Sequence, residues 1–171
     1  RTHLPYKGYL ANIPPSVFAT RYQSHIPDEI RGDAFLAAYG GIIDPVTSID
    51  PATVYRPRIC AAHPVYEHSR VRLFFHLLKS LHSGGTGPRF HQDALNDMGE
   101  LMYQSHASYS ACGLGNESTD EIVEWVRRAG PAAGVHGAKI TGGGSGGTVC
   151  VLCSGVRGLQ TAKRIAREFA S

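Results

Sequence analysis

An α+β domain, with a sheet covered on one face by helices, is the fold class this chain predicts, on three observations. Apolar residues recur at three- and four-residue steps through most of the 171 residues, so helices outnumber strands. Two short β-type runs stand close together near the C-terminus, Val135 to Thr141 and Thr148 to Ser154. Between them five glycines fall in six residues, Gly142-Gly143-Gly144-Ser145-Gly146-Gly147. A few strands among many helices must bury their apolar face against those helices.

Near the N-terminus, Tyr9, Leu10 and Ile13 suggest a short strand or extended lead-in between Tyr6 and Ile13. Pro14 and Pro15 then open a short helix, as proline does in a first turn, with Val17, Phe18 and Tyr22 on one side. A second helix is expected from about Asp28 to Tyr39, carrying Phe35, Leu36 and Tyr39, with Gly32 as a weak interior residue and Gly40-Gly41 ending it. The turn formers from Asp44 to Pro51 read as a loop around a hydrophobic peg, Val46 and Ile49. A long helix follows from about Pro64 to Leu81, with Val71, Phe74, Phe75, Leu78 and Leu81 in helical register. It stops at the segment from Ser83 to Pro88, the best candidate for an exposed, mobile loop.

The next helix runs from about His91 to Tyr109, with Leu95, Met98, Leu101, Met102 and Ser105 facing inward. After the Cys112-Gly113-Leu114-Gly115 turn, Ser118 and Glu121 match a capping box. Ile122, Val126 and Ala129 form that helix's stripe, and Gly130-Pro131 closes it. The two strands come next, then a final amphipathic helix carrying Leu159, Ala162, Ile165, Ala166 and Phe169. Trp125 and the aromatic residues of the helices are expected in the core.

Composition excludes several classes. The length suits a single domain with a proper core. No apolar run approaches the roughly 20 residues of a membrane helix and no signal-peptide pattern is present, which leaves the cytoplasm as the default location. The net charge of +3 comes mainly from 13 Arg against 4 Lys, scattered and not striped, so a nucleic-acid surface is weakly supported. Cys60, Cys112, Cys150 and Cys153 suit neither a disulfide framework nor a zinc site. Cys150 and Cys153 would point to opposite faces of a strand, so reduced, buried thiols are expected.

The glycine segment is the chemical signal. Glycine reaches positive φ without steric cost, and successive amides can turn toward one anion, so phosphate is the first ligand to consider. The bland alternative is a tight, mobile turn. Gly142-x-Gly144-x-x-Gly147 matches the dinucleotide fingerprint literally, but that motif opens a helix and here a strand follows. A Walker loop needs a lysine before its Ser/Thr, and Thr148 directly follows Gly147. A strand, a glycine loop and a strand remain.

The run Gly137 to Thr148 resembles the third, C-terminal signature of the GHMP kinases. Tyr103-Gln-Ser-His-Ala-Ser-Tyr-Ser-Ala-Cys-Gly-Leu-Gly115 is similar to the Ser-His-x-Ser segment of that superfamily's sugar kinases, and Thr119-Asp-Glu-Ile-Val123 follows it as in the family. Tyr9 to Ile13, Asp44 to Thr47 with Ile49-Asp50, and His63 to Val71 resemble the arabinokinase and galactokinase branch, so the likeness extends over nearly the whole chain. It implies a GHMP kinase C-terminal domain over 1–171, with an antiparallel, ferredoxin-like core. The main ATP phosphate loop, the sugar-binding acid and the catalytic Asp and Arg would belong to an N-terminal domain. No Pro-x-x-x-Gly-Leu-Ser-Ser-Ser sequence occurs here, nor the family's last strand, and the chain is expected to be a fragment. The implied cofactors are ATP and Mg2+, and the implied partners are arabinose or galactose and the N-terminal kinase domain, without nucleic acid or membrane.

Phosphoryl transfer needs metal-bridged phosphates, a placed hydroxyl and stabilisation of developing charge. The loop can supply backbone donors for that charge but neither the metal ligand nor the base. The expected site is therefore Thr141, Gly142, Gly143, Gly144, Ser145, Gly146 and Gly147, with no catalytic acid–base residue in this chain. His106 and Ser108 line the cleft floor if the resemblance holds; a hydrogen-bonded core histidine is the alternative. Lys139 either reaches a phosphate or faces solvent. His63, Glu67 and Arg70 share a helix face, at a domain junction or simply solvated. Two functions of different class follow: part of a sugar-1-kinase, inactive in isolation, or a noncatalytic binding module on the same scaffold.

Overall fold

A computed structural model describes residues 5–83, 87–143 and 147–171, which gather into two units, one up to His68 and one from Ser69 onward. In the first unit the described backbone before Pro14 forms no strand, and only Tyr9 and Ile13 take extended angles there, at the ends of a turn. It makes two 3-10 turns, Pro5–Gly8 and Leu10–Asn12. Asn12 Nδ2 donates to the Tyr6 carbonyl at 2.9 Å, and Tyr6 and Lys7 take left-handed φ values of 55° and 57°. A local side-chain bond of this kind competes with extended pairing. The helical run after Pro14 is present: α1 (Pro15–Val17) passes into a π-turn, Phe18–Tyr22, and a 3-10 turn, Gln23–His25. Phe18 is fully buried with Ile13 and Val65, and Tyr66 meets its ring edge-on at 6.2 Å.

The second expected helix starts four residues late. Ile30–Arg31 forms β1, paired antiparallel with β2 (Val54–Tyr55), and α2 runs Gly32–Tyr39. The carbonyls of Thr53 and Pro51 take the N–H groups of Gly32 and Asp33, at 2.9 and 3.0 Å, so the first turn is capped by backbone. A Cβ at Gly32 would lie 1.9 Å from the Asp50 carbonyl oxygen, which explains a glycine in that first turn. Gly40 ends α2 in the left-handed conformation, as expected. The loop after it is organised by Asp44, which accepts from Val46 N–H and the Thr47 hydroxyl, and by Asp50, which accepts from Ala52 N–H and the Thr53 hydroxyl. Val46 is 90% exposed, so the expected hydrophobic peg does not form there.

The long helix α3 spans Pro57–His82 and carries Pro64 inside it, not at its start. An interior proline costs about 3 kcal/mol in an isolated helix. Packing outweighs that here, because Ala61 and Ala62 before Pro64, and Val65 and Tyr66 after it, all join the cluster around Phe18. The proposed mobile loop falls partly on 84–86, outside the described residues.

In the second unit, α4 (Pro88–Ala111) buries Ala94, Met98, Gly99, Met102, Ser105 and His106. Leu95 and Leu101, expected inward, are only half-buried. α5 (Glu117–Ala129) begins one residue before the expected box. Asn116 is its N-cap, accepting from Thr119 N–H at 3.1 Å, a cap worth about 1 kcal/mol. Ser118 therefore lies inside the helix. Val123 and Val126 pack with Val135, Ala138 and Ile165, and Trp125 meets Phe169 edge-on at 5.8 Å. Phe75 and Phe90, by contrast, are exposed, so not every helical aromatic is core.

β3 (Val135–Ile140) and β4 (Val149–Cys153) pair antiparallel, Ala138 opposite Val151 and Ile140 opposite Val149, with a register shift around His136. This is the strand, loop and strand arrangement expected from the sequence. β3 is buried almost throughout and packs against α4, α5 and α6 (Gly155–Phe169). α6 turns Gly158, Thr161 and Ile165 inward, while Leu159 and Ala166 of the expected stripe are exposed. The cysteines form no disulfide among the described residues. Cys60 and Cys150 are exposed and Cys112 and Cys153 half-buried, so burial of all four is not what their surroundings provide. Among the described residues no helix is long and apolar enough to cross a membrane.

Candidate functional site

The glycine loop is carried at the far end of the β3–β4 hairpin, and the hairpin closes at Thr141, whose N–H donates to the Thr148 carbonyl at 3.0 Å. Gly142 and Gly147 take φ values of 70° and 107°, conformations that favour glycine. A Cβ at Gly142, Gly143 or Gly147 would meet no heavy atom within 4 Å, so no packed side chain requires a glycine there. Gly144, Ser145 and Gly146 lie outside the described residues.

The last turns of α4 hold the root of this loop. Successive N–H groups of an antiparallel strand point to opposite edges; that of Thr141 enters the hairpin ladder, so that of Ile140 leaves it. His106 Nδ1 accepts the Ile140 N–H at 3.3 Å. One turn further on, the Tyr109 hydroxyl donates to the Gly142 carbonyl at 3.1 Å, and Lys139 Nζ lies 5.1 Å from the centre of the Tyr109 ring. His106 Nε2 is 3.0 Å from Asp120 Oδ1 in the first turn of α5, and Ser110 Oγ donates to the same oxygen at 3.3 Å. Ser108, half-buried, offers its carbonyl to Cys112 N–H at 3.2 Å and so closes α4.

The structure thus brings His106 and Lys139 to the loop root with Thr141 and Gly142. It also adds Tyr109 and Asp120, to which sequence reasoning gave no role. His106 and Tyr109, three residues apart, share a helix face, which was the available signal for Tyr109. Asp120 had none, because it arrives from another helix. His63, Glu67 and Arg70 all lie on α3, and each is engaged by a neighbouring group.

The hydrogen bonds assign the neutral Nε2–H tautomer to His106, accepting at Nδ1 and donating to Asp120. Burial holds its pKa below the ordinary 6.5, with Arg127 and Lys139 acting in the same direction and Asp120 opposing them. His136 is likewise held low by burial; its two ring nitrogens lie 3.1 Å from Asn96 Oδ1 and 2.8 Å from Ser154 Oγ. Unfolding raises both pKa values, so below about pH 6.5 the unfolded chain binds more protons than the folded one. The contribution of both histidines is complete above that pH and is lost as pH falls toward their lower folded values. The thermal midpoint is therefore expected to drop between about pH 7.5 and pH 5. A midpoint that stayed flat over that range would contradict the assignment.

Residues 90–171 match the family model described as GHMP kinases C terminal. The chain is 40% identical over 163 residues to the L-arabinokinase of Arabidopsis thaliana, an alignment covering 92% of this chain. It spans 15% of that relative's length.

Proposed function

We infer, from a chain whose residues 90–171 are the C-terminal domain of a GHMP kinase, that it completes the active site of an ATP-dependent sugar-1-kinase. The observation that carries this is the open space around Gly142, Gly143 and Gly147, at the end of a hairpin whose root is tied down by His106 and Tyr109. The likeness to an L-arabinokinase supports a monosaccharide substrate, with arabinose first and galactose as the alternative that the sequence resemblance leaves open. In the reaction the anomeric hydroxyl oxygen bonds to the γ-phosphorus of ATP, and the bond from that phosphorus to the β–γ bridging oxygen breaks. Sugar 1-phosphate, ADP and the hydroxyl proton leave. Loop amides contribute donors for the charge on the transferring group, which Mg2+ shares. The base and the metal ligands belong to the N-terminal kinase domain in this reading, and the cytoplasm, where ATP is made available, is its setting.

Joined to a matching N-terminal kinase domain, the chain is expected to support sugar-dependent ADP release with arabinose or galactose. The 171 residues alone are expected to show no kinase activity and at best weak ATP binding. No sugar-dependent ADP release from the joined protein would favour a noncatalytic binding module instead. Micromolar ATP binding by this chain alone, measured by calorimetry, would contradict the division of labour.

A further inference from the structure

We propose that His106 and Asp120 are positioning residues for the glycine loop: Asp120 fixes the imidazole so that Nδ1 holds the Ile140 N–H, and this bond sets the path on which β3 delivers Thr141 and Gly142. The geometry is a relay across three elements. Asp120 on α5 accepts from His106 Nε2–H at 3.0 Å, His106 on α4 accepts from Ile140 on β3 at 3.3 Å, and the next residue, Thr141, closes the hairpin. Asp120 is itself held by Ser110 Oγ at 3.3 Å. The imidazole cannot turn over without loss: a flipped ring would present Cδ2–H to the Ile140 N–H and Cε1–H to Asp120, and both bonds would be lost.

The relay works only while His106 is neutral, since a proton on Nδ1 would oppose the Ile140 N–H. The groups that face the ring decide this. Asp120 from α5 favours the proton, Arg127 from α5 and Lys139 from β3 oppose it, and burial opposes it more than any of these. Tyr109, on α4 with His106, holds Gly142 by its hydroxyl, so the loop root has two ties from one helix. A loop meant to receive a transferring phosphoryl group gains from a fixed approach, because a small misplacement of donors costs rate steeply. The effect on rate rests on the proposed kinase reading; the effect on the loop root does not.

Two substitutions separate positioning from mere filling of space. His106→Asn keeps an acceptor oxygen where Nδ1 stands and loses the link to Asp120; His106→Gln keeps a group that reaches Asp120 and loses the acceptor for Ile140. Amide hydrogen exchange at Ile140, measured on the 171-residue chain and corrected for intrinsic rates, is expected to quicken about tenfold or more in the Gln variant. In the Asn variant it should stay within about threefold of the unaltered chain. Equal protection in both variants, or equal loss in both, would overturn the role of the His106 acceptor. Asp120→Ala, which leaves the imidazole in place without its Nε2 partner, is expected to quicken the same exchange more than about threefold, and unchanged exchange there would overturn the part given to Asp120. In the intact kinase the Gln variant is expected to lower kcat about tenfold with little change in the KM for sugar, and the Asn variant to recover most of it. The expected exchange result with an unchanged kcat would overturn the role in catalysis alone. An unaltered protein without sugar-dependent ADP release would overturn the kinase reading and leave the exchange result standing.

Discussion

Replacing Gly99 by alanine is expected to lower the thermal midpoint by roughly 5 °C, although propensity alone predicts the opposite sign. Alanine in a helix interior is favoured over glycine by about 1 kcal/mol, and Gly99 lies in the middle of α4. The added methyl group, however, would stand 1.9 Å from the His136 carbonyl oxygen and 2.5 Å from its carbon. Both are backbone atoms of β3, so no flexible side chain can step aside. The contact is reciprocal, because a Cβ at Gly137 would lie 2.4 Å from the Gly99 Cα. Helix and strand therefore touch backbone to backbone. Overpacking of a close-packed site costs about 1–3 kcal/mol, and more where the neighbours are rigid. At about 2–4 °C per kcal/mol for a chain of this size, the clash outweighs the propensity gain. A Gly99→Ala midpoint equal to or above that of the unaltered chain, measured by circular dichroism, would refute the close approach. The comparison matters for function as well, since His136 and the hairpin hang from this contact.

What the residues disclosed and what they concealed divide along a physical line. Features written in one contiguous stretch were legible: the stripe of α5, the two strands and their glycine loop, the left-handed stop at Gly40. Features that depend on a competitor were misplaced. Ser118 and Glu121 fit a capping box, but Asn116 reaches Thr119 N–H first, and a helix has one N-cap. Pro64 reads as a helix start until the packing of residues on both sides of it is known. The two-residue strands β1 and β2 are too short to show any alternation. Of the groups that meet at the loop root, His106, Lys139, Thr141 and Gly142 were named from the sequence. Asp120 was not, because its partner lies 14 residues away on another helix and no spacing rule connects them.

The second large effect separates stability from activity at one residue. Gly143→Val is expected to leave the thermal midpoint of the 171-residue chain within about 2 °C of its present value, since a typical surface substitution stays within about 0.5 kcal/mol. Unlike Gly142 and Gly147, Gly143 has no positive φ, and a Cβ there meets nothing within 4 Å. Nothing in the fold therefore requires glycine at this position. If the loop only turns the chain, the joined kinase should be as indifferent to the valine as the isolated chain. If loop amides approach a phosphoryl group, the branched side chain occupies the space that group needs, and it displaces the donors from the developing charge. Removal of one such donor typically costs about 10²–10³-fold in kcat. A loss of about 10²-fold in kcat/KM for ATP, beside an unchanged midpoint, is the expected outcome in the joined protein. Activity retained within about threefold would reduce the glycine loop to a turn and remove the principal support for its place in the active site.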